Sequence, residues 1–224
     1  MSNRKGSLLS KIPYTRMSES DCHQIHAASL EILEKTGIEV HYQPAQAILE
    51  KGGGRVTGNR VRLPGSLVEW AISVAPPELV LYDRTGSPAI QACGHQAYYG
   101  GGSDCLYILD HNTGERRKAR LDDVKQASIL MDSLEQIDFV MSAFLPSDVD
   151  PMIYDRYQME AMLNHTTKPI VFVTPDFEGC KIAVEMCQTV VGGAEAFREQ
   201  PFATCYINVT SGLVANTEAL QKNI

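Results

Sequence analysis

Apolar positions along this chain follow two rhythms, and the change between them falls near residue 97. Before it the elements are short and mixed. Ser18-Glu19-Ser20-Asp21 places a capping hydroxyl ahead of Ile25, Ala28, Ile32 and Leu33 at helical spacing, which predicts a helix over 19–36 ended by Gly37. Ile38 to His41 reads as extended, and Pro44 opens a short helix to about Lys51. Arg55-Val56-Thr57 and Arg60-Val61-Arg62 flank Gly58-Asn59, a hairpin signal. A helix from Pro64 to about Val74, closed by Pro76-Pro77, leads to a strand at Leu79 to Tyr82 and a turn at Asp83-Arg84-Thr85-Gly86. Residues 1–96 therefore read as a small α+β lead-in module.

From 97 onward strands and helices alternate. Strand-like runs at Ala97 to Gly101, Ile137 to Phe144, Ile170 to Thr174 and Ala203 to Val209 are each followed by a helical pattern, at 121–134, 151–163, 177–191 and 213–222. That order predicts four βα units on a parallel sheet. A (β/α)₈ barrel takes about 250 residues, so 97–224 reads as the first half of one, of TIM-barrel type, in a chain that stops short of the rest. The alternative is a four-unit sheet with an uncovered edge.

Composition narrows the function by exclusion. A formal net charge of -7 argues against a nucleic-acid surface, and the run Arg116-Arg117-Lys118-x-Arg120 is too short to reverse it. No apolar run reaches the roughly 20 residues of a membrane span, and the basic amino terminus lacks a signal-peptide core, so a cytoplasmic location is expected. Six cysteines without a CxxC pair are expected to stay reduced, with Cys180 and Cys187 facing the core. Cys22 and His26 stand one helical turn apart, but two ligands do not make a metal site, and none is expected.

In parallel βα folds the chemistry sits on the loops after the strands. Here those loops are Gly100-Gly101-Gly102-Ser103-Asp104, the stretch from Ser142 to Asp150, Thr174-Pro175-Asp176, and Asn208-Val209-Thr210-Ser211-Gly212. The glycine run lets backbone approach a ligand closely, yet it is neither GxGxxG nor a P-loop. A tight packing contact is the other reading of it. Asp176 and Ser211 read most simply as helix N-caps. Alternation along the fourth strand sends Cys205, Ile207 and Val209 to the helix layer and Thr204, Tyr206 and Asn208 to the lumen, as ligand contacts or as core filling.

One set of segments carries a resemblance. The helix His26-Ala27-Ala28-Ser29-Leu30-Glu31-Ile32-Leu33-Glu34-Lys35-Thr36-Gly37-Ile38, then Val61-Arg62-Leu63-Pro64 with Leu67-Val68-Glu69, Ala75-Pro76-Pro77 and Tyr82-Asp83-Arg84 follow one another in order. Thr113-Gly114-Glu115-Arg116-Arg117, Asp122-Asp123 and Asn164-x-x-x-Lys168-Pro169 continue the series. In order and spacing the chain resembles the trimethylamine methyltransferase family from about Ser18 to its end.

The resemblance implies a TIM-barrel enzyme that moves a methyl group from a methylated amine, either trimethylamine or a quaternary amine such as glycine betaine, to the cobalt of a corrinoid. The corrinoid rides on a separate partner protein, so no cofactor is expected on this chain. In the family a pyrrolysine marks the trimethylamine enzymes and lies well into the second half of the barrel. A Ser-Pro pair common after the fourth strand is replaced here by Thr210-Ser211-Gly212.

Such chemistry needs no protein nucleophile, and no residue is assigned a catalytic role. It needs a cation site of aromatic faces and carboxylates. By their strand-end positions Asp104, Phe144 and Tyr206 come first, with Ser142 and Asn208 as further substrate contacts, and Gly101, Gly102 and Ser103 as the backbone nearest a cofactor. Partners are then a corrinoid protein and a small amine, without nucleic acid or membrane, and a homo-oligomer is compatible. The competing readings are a half-barrel that binds an amine or a partner without turnover, and an inactive fragment.

Overall fold

The computed structural model describes residues 16–94, 96–209 and 212–222. The elements run α1 (Glu19–Lys35), β1 (Ile38–Val40), α2 (Gln43–Lys51), β2 (Arg55–Thr57), β3 (Arg60–Arg62), α3 (Gly65–Val74), β4 (Leu79–Tyr82) and β5 (Pro88–Ala92). They continue as β6 (Tyr107–Leu109), β7 (Arg116–Lys118), α4 (Leu121–Ser133), α5 (Tyr154–His165), β8 (Ile170–Phe172), α6 (Phe177–Val190), α7 (Ala194–Glu199), β9 (Ala203–Cys205), β10 (Val214–Ala215) and α8 (Thr217–Gln221). Two compact units result, one up to Pro77 together with the residues from Ile207 on, the other Glu78–Tyr206. Among the described residues no helix is long and apolar enough to cross a membrane.

The first unit follows the local signals closely. Ser18 caps α1 through a reciprocal box: its Oγ accepts from the Asp21 N–H at 3.1 Å, and the Asp21 carboxylate accepts from the Ser18 N–H at 2.9 Å. Gly37 ends the helix at φ 74°, where an added Cβ would stand 2.4 Å from the Val61 carbonyl oxygen, so only glycine fits. The sheet order is β10-β1-β3-β2, around the buried Val40, Ala45 and Val61. No residue of α1 is fully buried: Ile25 and Ile32 are exposed, and Leu30 and Leu33 are half-buried.

The carboxyl-terminal stretch departs from expectation. Instead of one helix over 213–222, Leu213 turns at φ 58°, Val214–Ala215 pairs in parallel with β1, and Asn216 caps a five-residue helix by accepting the Ala219 N–H at 2.7 Å. The apolar spacing from Leu213 to Leu220 imitates a single helix, and the asparagine cap interrupts it. Ser211 lies outside the described residues, and with it the expected cap there.

The second unit is mixed α/β. Its strands are shorter than the sequence pattern suggests, and no sheet among the described residues closes into a barrel. Parallel pairing links Gly100 to Phe139, Val140 to Ile170, and β8 to β9. The first two expected strands shrink to isolated bridges because a glycine run has weak strand preference and because Ala143 turns to φ 59°. The expected strand at Leu79–Tyr82 and its turn are present, while its hairpin partner β5, the hairpin β6-β7 and the short α7 lie outside the sequence-based expectation.

Behind the strands, α4 packs on α5 and α5 on α6. The core gathers Val140, Met159, Met162, Ile170, Phe172 and Phe202. Cys180 and Cys187 join it as expected, and burial pushes the Cys187 thiol up to about 12.

The Thr113-Gly114-Glu115-Arg116-Arg117 stretch has a clear job. Gly114 at φ 73° lets its N–H reach the Asp110 carbonyl at 2.7 Å, while the Asp110 carboxylate takes the N–H groups of Asn112 and Thr113. Arg117 then donates to Asp110 at 3.0 Å and in a fork to both oxygens of the buried Asp123 at 2.7 and 2.8 Å. Asp123 in turn accepts the Arg120 N–H at the start of α4. The hairpin β6-β7 is thereby tied to the helix that follows it, and the Arg116 guanidinium lies over the Tyr107 ring at 3.5 Å.

Candidate functional site

The carboxyl ends of the parallel segments bring together groups from several loops. The glycine run feeds this end in two ways. An added Cβ at Gly100 would stand 2.3 Å from the Phe139 ring, and one at Gly101 would stand 2.4 Å from Met131 Sδ. Packing thus uses both glycines, and Gly102 faces open space.

The next residues are strained. Asp104 at φ 64° and Ala143 at φ 59° hold a left-handed conformation without being glycine, a combination that proteins tend to keep at functional sites. They flank a local ladder in which Ala143 N–H donates to Gly102 O at 2.9 Å and Cys105 N–H to Ala143 O at 3.1 Å. Asp104 is exposed, and the Ser103 hydroxyl donates to it at 3.4 Å.

Of the other expected contacts, Ser142 is 4% exposed and its carbonyl accepts the Phe144 N–H. Phe144 is half-buried, with its carbonyl held at 2.7 Å by Gln158 from α5. Tyr206 follows β9, donates its N–H to Phe172 O at 2.8 Å and leaves its side chain 55% exposed. Asn208 is exposed and falls in the first unit, apart from the set in Glu78–Tyr206. Val209 is exposed too, against the helix-layer expectation.

Two residues at this end escaped the sequence reading. Asp176 caps α6 as expected, accepting the Gly179 N–H at 2.7 Å, but Tyr154 and Asp155 at the start of α5 stand with it. Burial pushes the Tyr154 phenol up, and the charges of Asp104, Asp155 and Asp176 push it further. One half-buried phenol therefore feels carboxylates from three separate segments. Burial also raises the Asp155 carboxyl, and Asp176 adds to this against the pull of Arg156 and of backbone N–H groups. The signal available in the sequence was Tyr154-Asp155 in the first turn after a strand-end loop, at a position the helical pattern absorbed.

Elsewhere, a cavity of about 170 Å³ lies between α4 and α5, lined by Leu121, Lys125, Tyr157, Glu160 and His165. It opens on the helix layer and touches none of the strand-end groups. Among the described residues no group of three or more His, Cys, Asp or Glu is arranged to hold a metal ion. His26 is used instead in a 2.6 Å contact with Glu69 from α3.

The fold and this end of it define a mixed α/β protein with an acidic, aromatic face where parallel strands finish. The family described as trimethylamine methyltransferase (MTTB) matches residues 3–223, and the chain belongs to that family. It is 32% identical over 198 residues to the trimethylamine methyltransferase MttB of Desulfitobacterium hafniense (strain DSM 10664 / DCB-2), covering 88% of this chain and 40% of that protein. It is 27% identical over 206 residues to the glycine betaine methyltransferase of Desulfitobacterium hafniense (strain Y51), covering 91% of this chain and 42% of that protein. To the proline betaine:corrinoid methyltransferase of Eubacterium limosum it is 27% identical over 156 residues, covering 68% of this chain and 32% of that protein. The chain thus spans about two fifths of the length of the first two relatives.

Proposed function

We propose that this chain carries the amino-terminal part of a methyltransferase that moves a methyl group from a methylated amine to the cobalt of a corrinoid held by a partner protein. Family membership supports the reaction class, and the relatives' names supply both an amine donor and a corrinoid acceptor. Half of a (β/α)₈ barrel is the architecture that fits: the parallel links run in order from Gly100 through Phe139 and Val140 to Ile170 and Ala203. The carrying observation for the site is the exposed, left-handed Asp104 next to the Cys105–Phe144 bridge, with the exposed Tyr206 following β9.

A methylated ammonium is a weakly hydrated cation, and carboxylates and aromatic faces bind it without a nucleophile, each cation-π contact contributing about 0.5 to 2 kcal/mol. During transfer the C–N bond breaks with its electron pair left on nitrogen, while the methyl carbon takes a pair from reduced cobalt. The protein's own task is to orient that methyl group outward and to keep water from the cation. Gly102 has open space where a side chain would stand, at the same end, where the acceptor would approach.

The test is amine binding followed by transfer. Trimethylammonium and glycine betaine are titrated by calorimetry, then each is mixed with the protein and reduced cobalamin while the visible spectrum is followed. Binding of at least one amine, and a methyl-cobalt spectrum that appears only with it, is expected. Tyr206→Ala and Asp104→Ala should each lower kcat/KM about tenfold. If no amine binds, or if both substitutions leave kcat/KM unchanged, the assignment falls.

A further inference from the structure

Asp155 is 5% exposed, and its Oδ2 is buried without a hydrogen-bond partner. That is costly for a charged oxygen and calls for a reason. The oxygen fills a notch in the first turn of α6. An added Cβ at Gly179 would lie 2.1 Å from Asp155 Oδ2 and 3.3 Å from Asp176 Oδ1, so the two carboxyl groups face one point from two helices. Asp176 Oδ1 is already engaged by the Gly179 N–H. A neutral Asp155 would turn its buried oxygen from an unpaired acceptor into a donor with a carboxylate in front of it.

We propose that Asp155 and Asp176 share one proton across the Gly179 notch, and that this carboxyl pair holds Tyr154 in place at the strand-end mouth. The second half of the proposal rests on the amine-site reading above, and it makes Asp155 a positioning residue. The negative charges around the pair favour one proton between the two carboxyls, and Arg156 opposes it. Asp176 disfavours a second charge on Asp155, Asp104 adds negative charge around Tyr154, and Arg156 on the same helix is the one cation acting on Asp155. Burial favours the protonated form of Asp155 as well.

A carboxyl whose value is raised in the folded protein favours folding below the ordinary 3.8 and loses that contribution as the pH rises through the raised value. Asp155→Asn keeps a neutral donor in the notch and should flatten this dependence.

Carbon-13 labelling of the aspartate carboxyls reads the pair directly. Asp155 should titrate above the ordinary range, and Asp176→Asn should bring its midpoint down by about one pH unit or more, as removal of a neighbouring charge requires. Gly179→Ala should expel the Asp155 oxygen and lower its midpoint in the same way. An ordinary Asp155 midpoint, or one indifferent to both substitutions, overturns the pair.

For the positioning role, trimethylammonium affinity is measured by calorimetry together with the ring resonances of Tyr154. Asp155→Asn should hold the affinity within about twofold, whereas Asp155→Ala should weaken it about tenfold and move the Tyr154 signals. Equal affinity in the alanine variant overturns positioning. If the unsubstituted protein binds no amine, positioning falls together with the amine reading, while the carboxyl titration still decides the pair.

Discussion

The two ends of the parallel segments use similar residue types to opposite effect. At the amino end, Arg84 donates to the Thr166 carbonyl and its own N–H reaches Thr167 O at 2.8 Å. Asp132 accepts from the Thr166 hydroxyl at 2.6 Å and the Thr167 N–H at 3.0 Å, and Lys168 Nζ binds the carbonyls of Met131 and Leu134 at 2.8 and 2.6 Å. At the carboxyl end, Asp155 Oδ2 has no hydrogen bond, Asp104 and Ala143 are strained, and Tyr206 stands in the open. The amino end spends its polar groups on holding the chain together, with the buried Arg84 Nε the exception, and the other end leaves more of them unpaired or in the open. Stability and function should therefore separate by end of the sheet.

The largest expected effect is at the amino end. Asp132→Ala leaves the Thr166 hydroxyl and the Thr167 N–H unpaired next to a half-buried guanidinium, and should cost about 2 to 3 kcal/mol in urea unfolding. Amine affinity of the remaining folded protein should not change. Loss of affinity without loss of stability would erase the distinction between the ends.

Arg117→Ala comes next. Arg117 holds the Asp123 carboxyl below its ordinary value and, with the N–H groups of Asn112 and Thr113, holds Asp110 at about 2. Lowered carboxyl values contribute stability above pH 3.8 that is lost as the pH falls through about 2. The variant should have a lower urea midpoint at neutral pH and a shallower acid limb, and an unchanged acid limb would count against the Arg117 network.

The smallest effects have the opposite sign. Ala143→Gly and Asp104→Gly remove left-handed strain and should each stabilise by about 0.5 to 1 kcal/mol, the second at the expense of amine affinity. If both destabilise, the strand-end backbone is not strained at these two positions.

How far the sequence foretold this picture depends on the range of the interaction. The elements of the first unit from α1 to α3 follow from signals within a few residues: the Ser18 box, Gly37 and the Gly58-Asn59 hairpin. The strand-end loops were also visible from periodicity, and with them Asp104, Phe144 and Tyr206. Tyr154 and Asp155 were hidden because a helix's first turn looks alike whether its side chains cap, pack or wait. The Gly179 notch depends on an oxygen arriving from another helix, which no local pattern records. Leu213 to Leu220 misled because apolar spacing is blind to a partner strand far back in the chain.

That partner has a consequence for how the protein is made. β1 is synthesised before the whole of Glu78–Tyr206, yet its parallel neighbour β10 emerges only after it. The unit Glu78–Tyr206 is continuous and can fold while it is being translated at about 5 to 20 residues per second. The first unit must keep one edge of Ile38–Val40 unpaired until Val214–Ala215 arrives, so it is completed only after the segment inserted into it has been made.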